Sequence, residues 1–193
     1  NLILHLLCTF LVFHIIRKLH KGIWVAIICA LLFGIHPMRV ESVAWITERK
    51  DVLFGFFFLW AIFLYIKNLE APTLSRSLFI FCLFILGLFS KIQMVTLPLT
   101  FLAIDYFRNR PLNSKLIFEK WHYFLASLLF GILGIFFLSE QGSLDTNTST
   151  MVGFDRIFIG SYSFISYIIK WLIPYRLLPL YPYPESLSIW HYI

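Results

Sequence analysis

Apolar runs at 1–16, 23–35, 52–66, 77–89, 94–107, 121–138 and 154–173 follow one another along this 193-residue chain, joined by short polar connections. A helix that crosses a bilayer needs about 20 mostly apolar residues, somewhat fewer where flanking Lys and Arg snorkel. In lipid every backbone polar group must be satisfied within the chain, so runs of this kind become helices. A soluble domain of this length has no interior large enough for a 60% hydrophobic chain with 22 Phe and 6 Trp. The expected fold is therefore all-α: a polytopic integral membrane helical bundle of about six spans. The run at 154–173 is long enough to span, but Arg156, Ser161, Tyr162, Ser163, Ser166, Tyr167 and Lys170 make it more polar than the rest. It reads either as a seventh span or as a helix lying in the interface beside the Pro-rich segment 174–184.

Charge placement gives the orientation. The connections at 17–22, 67–76 and 108–120 carry the Lys and Arg excess. The alternate ones are neutral (36–51), a single Lys (Lys91) or slightly acidic (139–155). The positive-inside rule puts the first set in the cytoplasm and the second outside, in periplasm or lumen. The net charge of +6 falls in short clusters, without the basic stripe that nucleic acid requires. Cys8, Cys29 and Cys82 lie in apolar runs without metal-ligand spacing. The chain opens without Met and closes on Trp190-His-Tyr-Ile193, so it is expected to be a fragment of one transmembrane domain.

The densest polar run is His36-Pro-Met-Arg-Val-Glu-Ser-Val-Ala-Trp-Ile-Thr-Glu-Arg-Lys-Asp51, on the outer side by this topology. Arg39, Glu41, Glu48, Arg49, Lys50 and Asp51 are charged, and their signs cancel. On a helix from about Arg39, Glu41 and Glu48 fall within about 20° of each other, Trp45 lies between them, and Arg49 and Asp51 flank the stripe. Carboxylates at the membrane boundary can ligate a hard divalent cation or take a proton, and Arg suits a phosphate as a bidentate donor. The same residues also fit a solvated interfacial loop whose internal ion pairs are worth little. His36, before a Pro, reads as a helix-terminal residue or as a ligand.

Three other features carry less. Lys91 with Gln93 forms the next outer connection and can simply snorkel. Asp105 is expected to pair with Arg108 three residues on, at the inner end of its span. Tyr181-Pro-Tyr-Pro184 reads as an aromatic wall for a sugar or polyprenyl chain, or as an interfacial belt. No P-loop, dinucleotide turn, nucleophile elbow or paired His/Cys site is present.

The phrase Phe33-Gly-Ile-His-Pro-Met-Arg-Val-Glu-Ser-Val-Ala-Trp-Ile-Thr-Glu-Arg-Lys-Asp-Val-Leu53 closely resembles the segment HPxxxESVAWxxERKDVL of a family of polytopic membrane glycosyltransferases. These have the GT-C fold, often carry C-terminal tetratricopeptide repeats, and include the transmembrane O-mannosyltransferases that act on cadherins. Ser90-Lys91-Ile-Gln-Met-Val-Thr-Leu-Pro98 is similar to that family's SKPMxVTLP, with Ile92 in place of its Pro. Asp105-Tyr106 is similar to its DYW, and Tyr181-Pro-Tyr-Pro184 to its FYPYP, in the same order.

The resemblance implies an inverting enzyme of the bacterial inner membrane or endoplasmic reticulum. It would take a sugar such as mannose from a polyprenyl-phosphate donor and pass it to a protein or glycan acceptor on the periplasmic or lumenal face. In such enzymes a carboxylate of the first outer loop serves as base or metal ligand. That loop and the first span are expected upstream of Asn1, and the remaining C-terminal part downstream of Ile193, so the piece alone would be inactive and no base is assigned. Arg49 and Lys91 are expected to bind the donor phosphate. His36, Glu41, Glu48 and Asp51 would support them or contact a divalent metal or the acceptor, and Tyr181 and Tyr183 would form a substrate wall. The resemblance also favours keeping 154–184 on the outer side. The rival readings are a transporter or flippase of a polyprenyl-linked intermediate, which needs charges along a path through the bundle, and a non-catalytic membrane scaffold.

Overall fold

A computed structural model of the chain describes residues 1–140, 153–174 and 177. The chain divides into two units, Asn1–Glu140 and Gln141–Ile193. The first holds α1 (Leu2–Leu19), α2 (Ile23–Ile35), α3 (Val40–Ala44), α4 (Arg49–Glu70), α5 (Leu74–Ser90), α6 (Leu97–Phe107), α7 (Ser114–Glu119) and α8 (Trp121–Glu140). Three 3-10 turns, Pro37–Arg39, Ile46–Glu48 and Ile92–Thr96, join some of these. In the second unit the described residues form α9 (Gly153–Leu172). Among the described residues there is no strand, so the all-α membrane fold expected from the sequence is what the chain adopts.

The helices stop where local chemistry requires it. Arg17 and Lys18 sit in the last turn of α1, where cations favour the helix dipole, before His20 turns to extended backbone. His36 is extended because Pro37 follows it, and α2 ends there. After α6, Asn109 adopts φ 58, a left-handed conformation that Asn tolerates better than most residues. That turn lets the Arg110 N–H donate to the Asp105 carbonyl at 3.0 Å and sends the chain back toward α4.

Leu2–Leu19, Ile46–Glu70 and Trp121–Glu140 are long and apolar enough to cross a membrane, and the pair Ile23–Ile35 with Pro37–Ala44, bent by 51°, makes a fourth if taken together. About six spans are expected from the spacing of the apolar runs. The difference lies in α5 and the helical stretch Ile92–Phe107, which are apolar but short. At about 1.5 Å per residue each is roughly 25 Å long, below the bilayer's hydrocarbon thickness.

The core of the first unit forms around α4, which packs on α1, α5 and α6. Ile66, Phe84, Met94, Leu97 and Phe101 are completely enclosed. The Tyr65 ring stacks on Phe101 at 4.0 Å, and Phe101 and Phe84 each meet Tyr123 edge-on at 5.3 Å. Gly87 makes this packing feasible: a Cβ there would come within 2.6 Å of Met94 Sδ. The missing side chain lets the turn at Ile92–Thr96 settle against α5, and Ser127 of α8 donates to its Val95 carbonyl at 3.1 Å. Outward-facing Leu128, Leu129, Ile132, Leu133, Ile135 and Phe136 leave most of α8 as surface for lipid.

Phe101→Ala removes the stacking partner of Tyr65 and should cost about 3 kcal/mol of stability, whereas Leu133→Ala on the outward face should cost little. Thermal unfolding in detergent micelles checks both; equal effects would mean that the core does not centre on Phe101.

Candidate functional site

The polar segment at residues 36–51 is a series of short pieces. His36 Nδ1 accepts the Met38 N–H at 3.3 Å and caps the 3-10 turn that Pro37 starts. α3 then runs for five residues until Trp45 takes extended backbone at φ −84, ψ 121. A second 3-10 turn leads into α4 at Arg49. This corrects the expectation of one helix from Arg39 to Asp51. The break at Trp45 resets the helical phase, so Glu41 and Glu48 do not share a stripe on one helix. Its cost is partly met by Asn1, whose Nδ2 donates to the Trp45 carbonyl at 2.7 Å and the Ser42 carbonyl at 3.3 Å.

Lys91 lies at the break between α5 and the turn at Ile92–Thr96, in extended backbone at φ −158. Its Nζ forms an ion pair with Asp51 Oδ1, joining two expected site residues 40 positions apart in the chain. The two side chains are 28% and 26% exposed, so the pair sits at a boundary, neither in bulk water nor in the core. Glu48 pairs instead with Lys50 at 3.8 Å. Glu41 and Arg49 are exposed, and His36 is half-buried at the end of α2. Tyr181 and Tyr183 lie outside the described residues.

Neighbours that the sequence alone does not single out complete this end. The Arg39 guanidinium sits over the Phe33 ring at 4.8 Å, and Phe33 stacks on His5 at 5.5 Å. His5 Nε2 is hydrogen-bonded to the Gly34 carbonyl at 2.9 Å, tying α1 to the last turn of α2. A cation three residues after His36 and six after an aromatic is a faint signal, and only the bend at Pro37 turns it into a contact. Among the described residues no three His, Cys, Asp or Glu side chains converge in ligand geometry. The carboxylates here do not fit a divalent-metal centre, since Asp51 is held by Lys91 and Glu48 faces Lys50.

The opposite, basic end corrects a second expectation. Asp105 does not pair with Arg108. It is fully buried and accepts from Tyr65 Oη at 2.7 Å, Arg110 Nη1 at 2.9 Å and the equally enclosed Lys120 Nζ at 2.7 Å. Arg110 also holds Glu119 at 3.0 Å. Burial works against the charge on Arg110, but its hydrogen bonds to Glu119 and Asp105 outweigh this and hold the guanidinium above its ordinary value. Arg108 turns to Glu70 at 3.5 Å and the Lys18 carbonyl at 2.9 Å. The pairing follows from the left-handed turn at Asn109, which carries Arg110 back over the end of α6.

Over 122 residues the chain is 34% identical to Protein O-mannosyl-transferase F38B6.6 of Caenorhabditis elegans, covering 61% of this chain and 17% of that protein. It is 39% identical over 78 residues to the human Protein O-mannosyl-transferase TMTC1, covering 40% of this chain and 9% of the relative. The chain is a relative of the protein O-mannosyl-transferases. A third match, Protein O-mannosyl-transferase tmtc2 of Xenopus laevis, is 36% identical over 78 residues, with the same coverage of 40% and 9%. The chain thus spans less than a fifth of the length of the curated relatives it matches. No family model and no solved structure matches it.

In a double-mutant cycle of Asp51→Asn and Lys91→Met, read by thermal unfolding, the pair should show a coupling of about 1 kcal/mol. Asp105→Asn should cost more, about 3 kcal/mol, because it leaves two cations facing a neutral amide inside the fold. A smaller loss at Asp105 than at Asp51 would reverse this order of importance.

Proposed function

We propose that the chain is part of a single transmembrane glycosyltransferase domain that moves a sugar, mannose by analogy with its relatives, from a polyprenyl-phosphate donor to a protein or glycan acceptor. The observation that carries this reading is the Lys91–Asp51 contact. It brings together Asp51 and Lys91, from two of the separate segments that resemble the family, in a relative of proteins named as O-mannosyl-transferases. The outer, periplasmic or lumenal, face is supported by the Lys and Arg bias of the opposite connections.

In this reading an acceptor hydroxyl oxygen attacks the anomeric carbon as its bond to the donor phosphate breaks. Attack from the face opposite the leaving phosphate inverts the centre. The hydroxyl proton passes to a base that the resemblance places upstream of Asn1, and the polyprenyl phosphate leaves with the bonding electrons. Arg49 offers a planar pair of donors to that phosphate, and Lys91 adds a point charge. In transfers of this kind, rate enhancement comes mostly from stabilising the charge that develops on the departing group. Asp51 positions Lys91, while Glu41, exposed on α3, contacts the acceptor; His36 and Glu48 hold the shape of the segment.

The transporter reading calls for charges along a path. Among the described residues the buried charges, Asp105 and Lys120, are closed on each other at one end of the bundle.

In the full-length protein, Arg49→Ala or Glu41→Ala should lower sugar transfer by about 100-fold with membrane insertion unchanged. A radiolabelled-sugar assay on membranes checks this; near-normal transfer with both variants inserted would overturn the assignment.

A further inference from the structure

The most amphipathic of the longer helices is α9, and the polar patch at residues 36–51 leaves it unexplained. At 100° per residue, Phe164, Ile165, Ile168, Ile169 and Leu172 fall on one arc of about 140°, with the small Ser161 inside it, and Ser163, Ser166 and Lys170 on an opposite arc of about 60°. Their burial is the reverse of that in a water-soluble helix. The five apolar side chains are exposed, Phe164 by 68% and Leu172 by 64%, while Ser163, Ser166 and Lys170 are half-buried. Large apolar side chains turned outward in this way call for an apolar medium.

Two arrangements would supply one: a helix crossing the bilayer and a helix lying along its surface. With 20 residues α9 is long enough to cross, yet it is not among the helices apolar enough to do so. Its aromatic residues decide between the two. On a spanning helix, Tyr and Trp belong near the two ends, at headgroup level. Here Tyr162 lies mid-helix and Tyr167 three-quarters along it, on the two borders of the apolar arc, while Trp171 in the last turn lies at the Tyr167 border. Those borders run at headgroup level along the whole helix only if the helix lies flat.

We infer that α9 is an interfacial helix whose partner is the lipid surface. Its Phe164–Ile165–Ile168–Ile169–Leu172 arc sinks into the headgroup–acyl boundary, and Tyr162 and Tyr167 mark the waterline. The inference stands independently of sugar transfer.

The test uses the whole chain in nanodiscs of phosphatidylcholine and phosphatidylglycerol, with Cys29→Ser and Cys82→Ser in place and the buried Cys8 retained. Single nitroxide labels are attached through Phe164→Cys, Ile165→Cys, Ile168→Cys, Ile169→Cys and Leu172→Cys, with Ser163→Cys and Ser166→Cys for the opposite arc. The depth of each label is read from its relative accessibility to oxygen and to a water-soluble nickel chelate. The five apolar-arc labels should share one shallow depth, about 5–10 Å below the phosphates, with the two serine positions shallower. A depth that climbs to the bilayer centre near Ile165 and falls again by Leu172 would make α9 a span. High nickel access throughout, or low access to both reagents, would mean that water or protein covers the arc, and either would overturn the proposal.

Discussion

An ion in hydrocarbon costs several kcal/mol unless it is paired or reaches water, and the arrangement of the first unit follows from that cost. Its charges collect at two ends. At one, Asp51, Lys91, Arg39, Glu41 and Arg49 sit at a boundary where most are exposed or half-exposed. At the other, Asp105, Lys120, Arg110 and Glu119 are drawn together over the end of α6, with Lys18, Glu70 and Arg108 forming a second, more exposed set. Between them lie helices whose contacts are aromatic and aliphatic, centred on Phe84, Phe101 and Tyr65. The two ends solve the same problem differently. One closes its charges on each other and becomes part of the fold, while the other leaves Arg39, Glu41 and Arg49 exposed.

The helical membrane fold was legible because it depends on composition and on the length of apolar runs, which are properties of the chain itself. The short helices were not. Whether 13 or 17 apolar residues suffice depends on tilt and on what packs beside them, and α2 and α5 illustrate both lengths. The break at Trp45 was also hidden. Nothing in Val-Glu-Ser-Val-Ala-Trp-Ile forbids a helix, and the extended residue is held by an Asn1 side chain 44 positions away. Periodicity cannot report a partner so distant, so the stripe that joined Glu41 to Glu48 was an artefact of assuming continuity.

The site was legible in part, for a different reason. Arg49, Asp51 and Lys91 stood out as ionisable groups in an apolar chain and as parts of a family phrase. Their pairing needed the fold, since only the packing of α4 on α5 brings residues 51 and 91 together. Asp105 shows the opposite outcome. Spacing pointed to Arg108, which is three residues on, but the left-handed Asn109 reversed the chain and gave the carboxylate to Arg110 and Lys120. A single backbone angle outweighed the usual helical neighbour rule.

The contact between Lys91 and Asp51 also has a consequence for selectivity. The ammonium is not an empty socket: a carboxylate of the chain itself occupies it, so an anion binding there would enter by exchange. In the reading proposed above, a donor phosphate would have to outcompete Asp51 for the ammonium, which a weak or singly charged anion would not do. Selection at such a patch would then come from competition with a carboxylate of the chain itself, and not from an open positive charge.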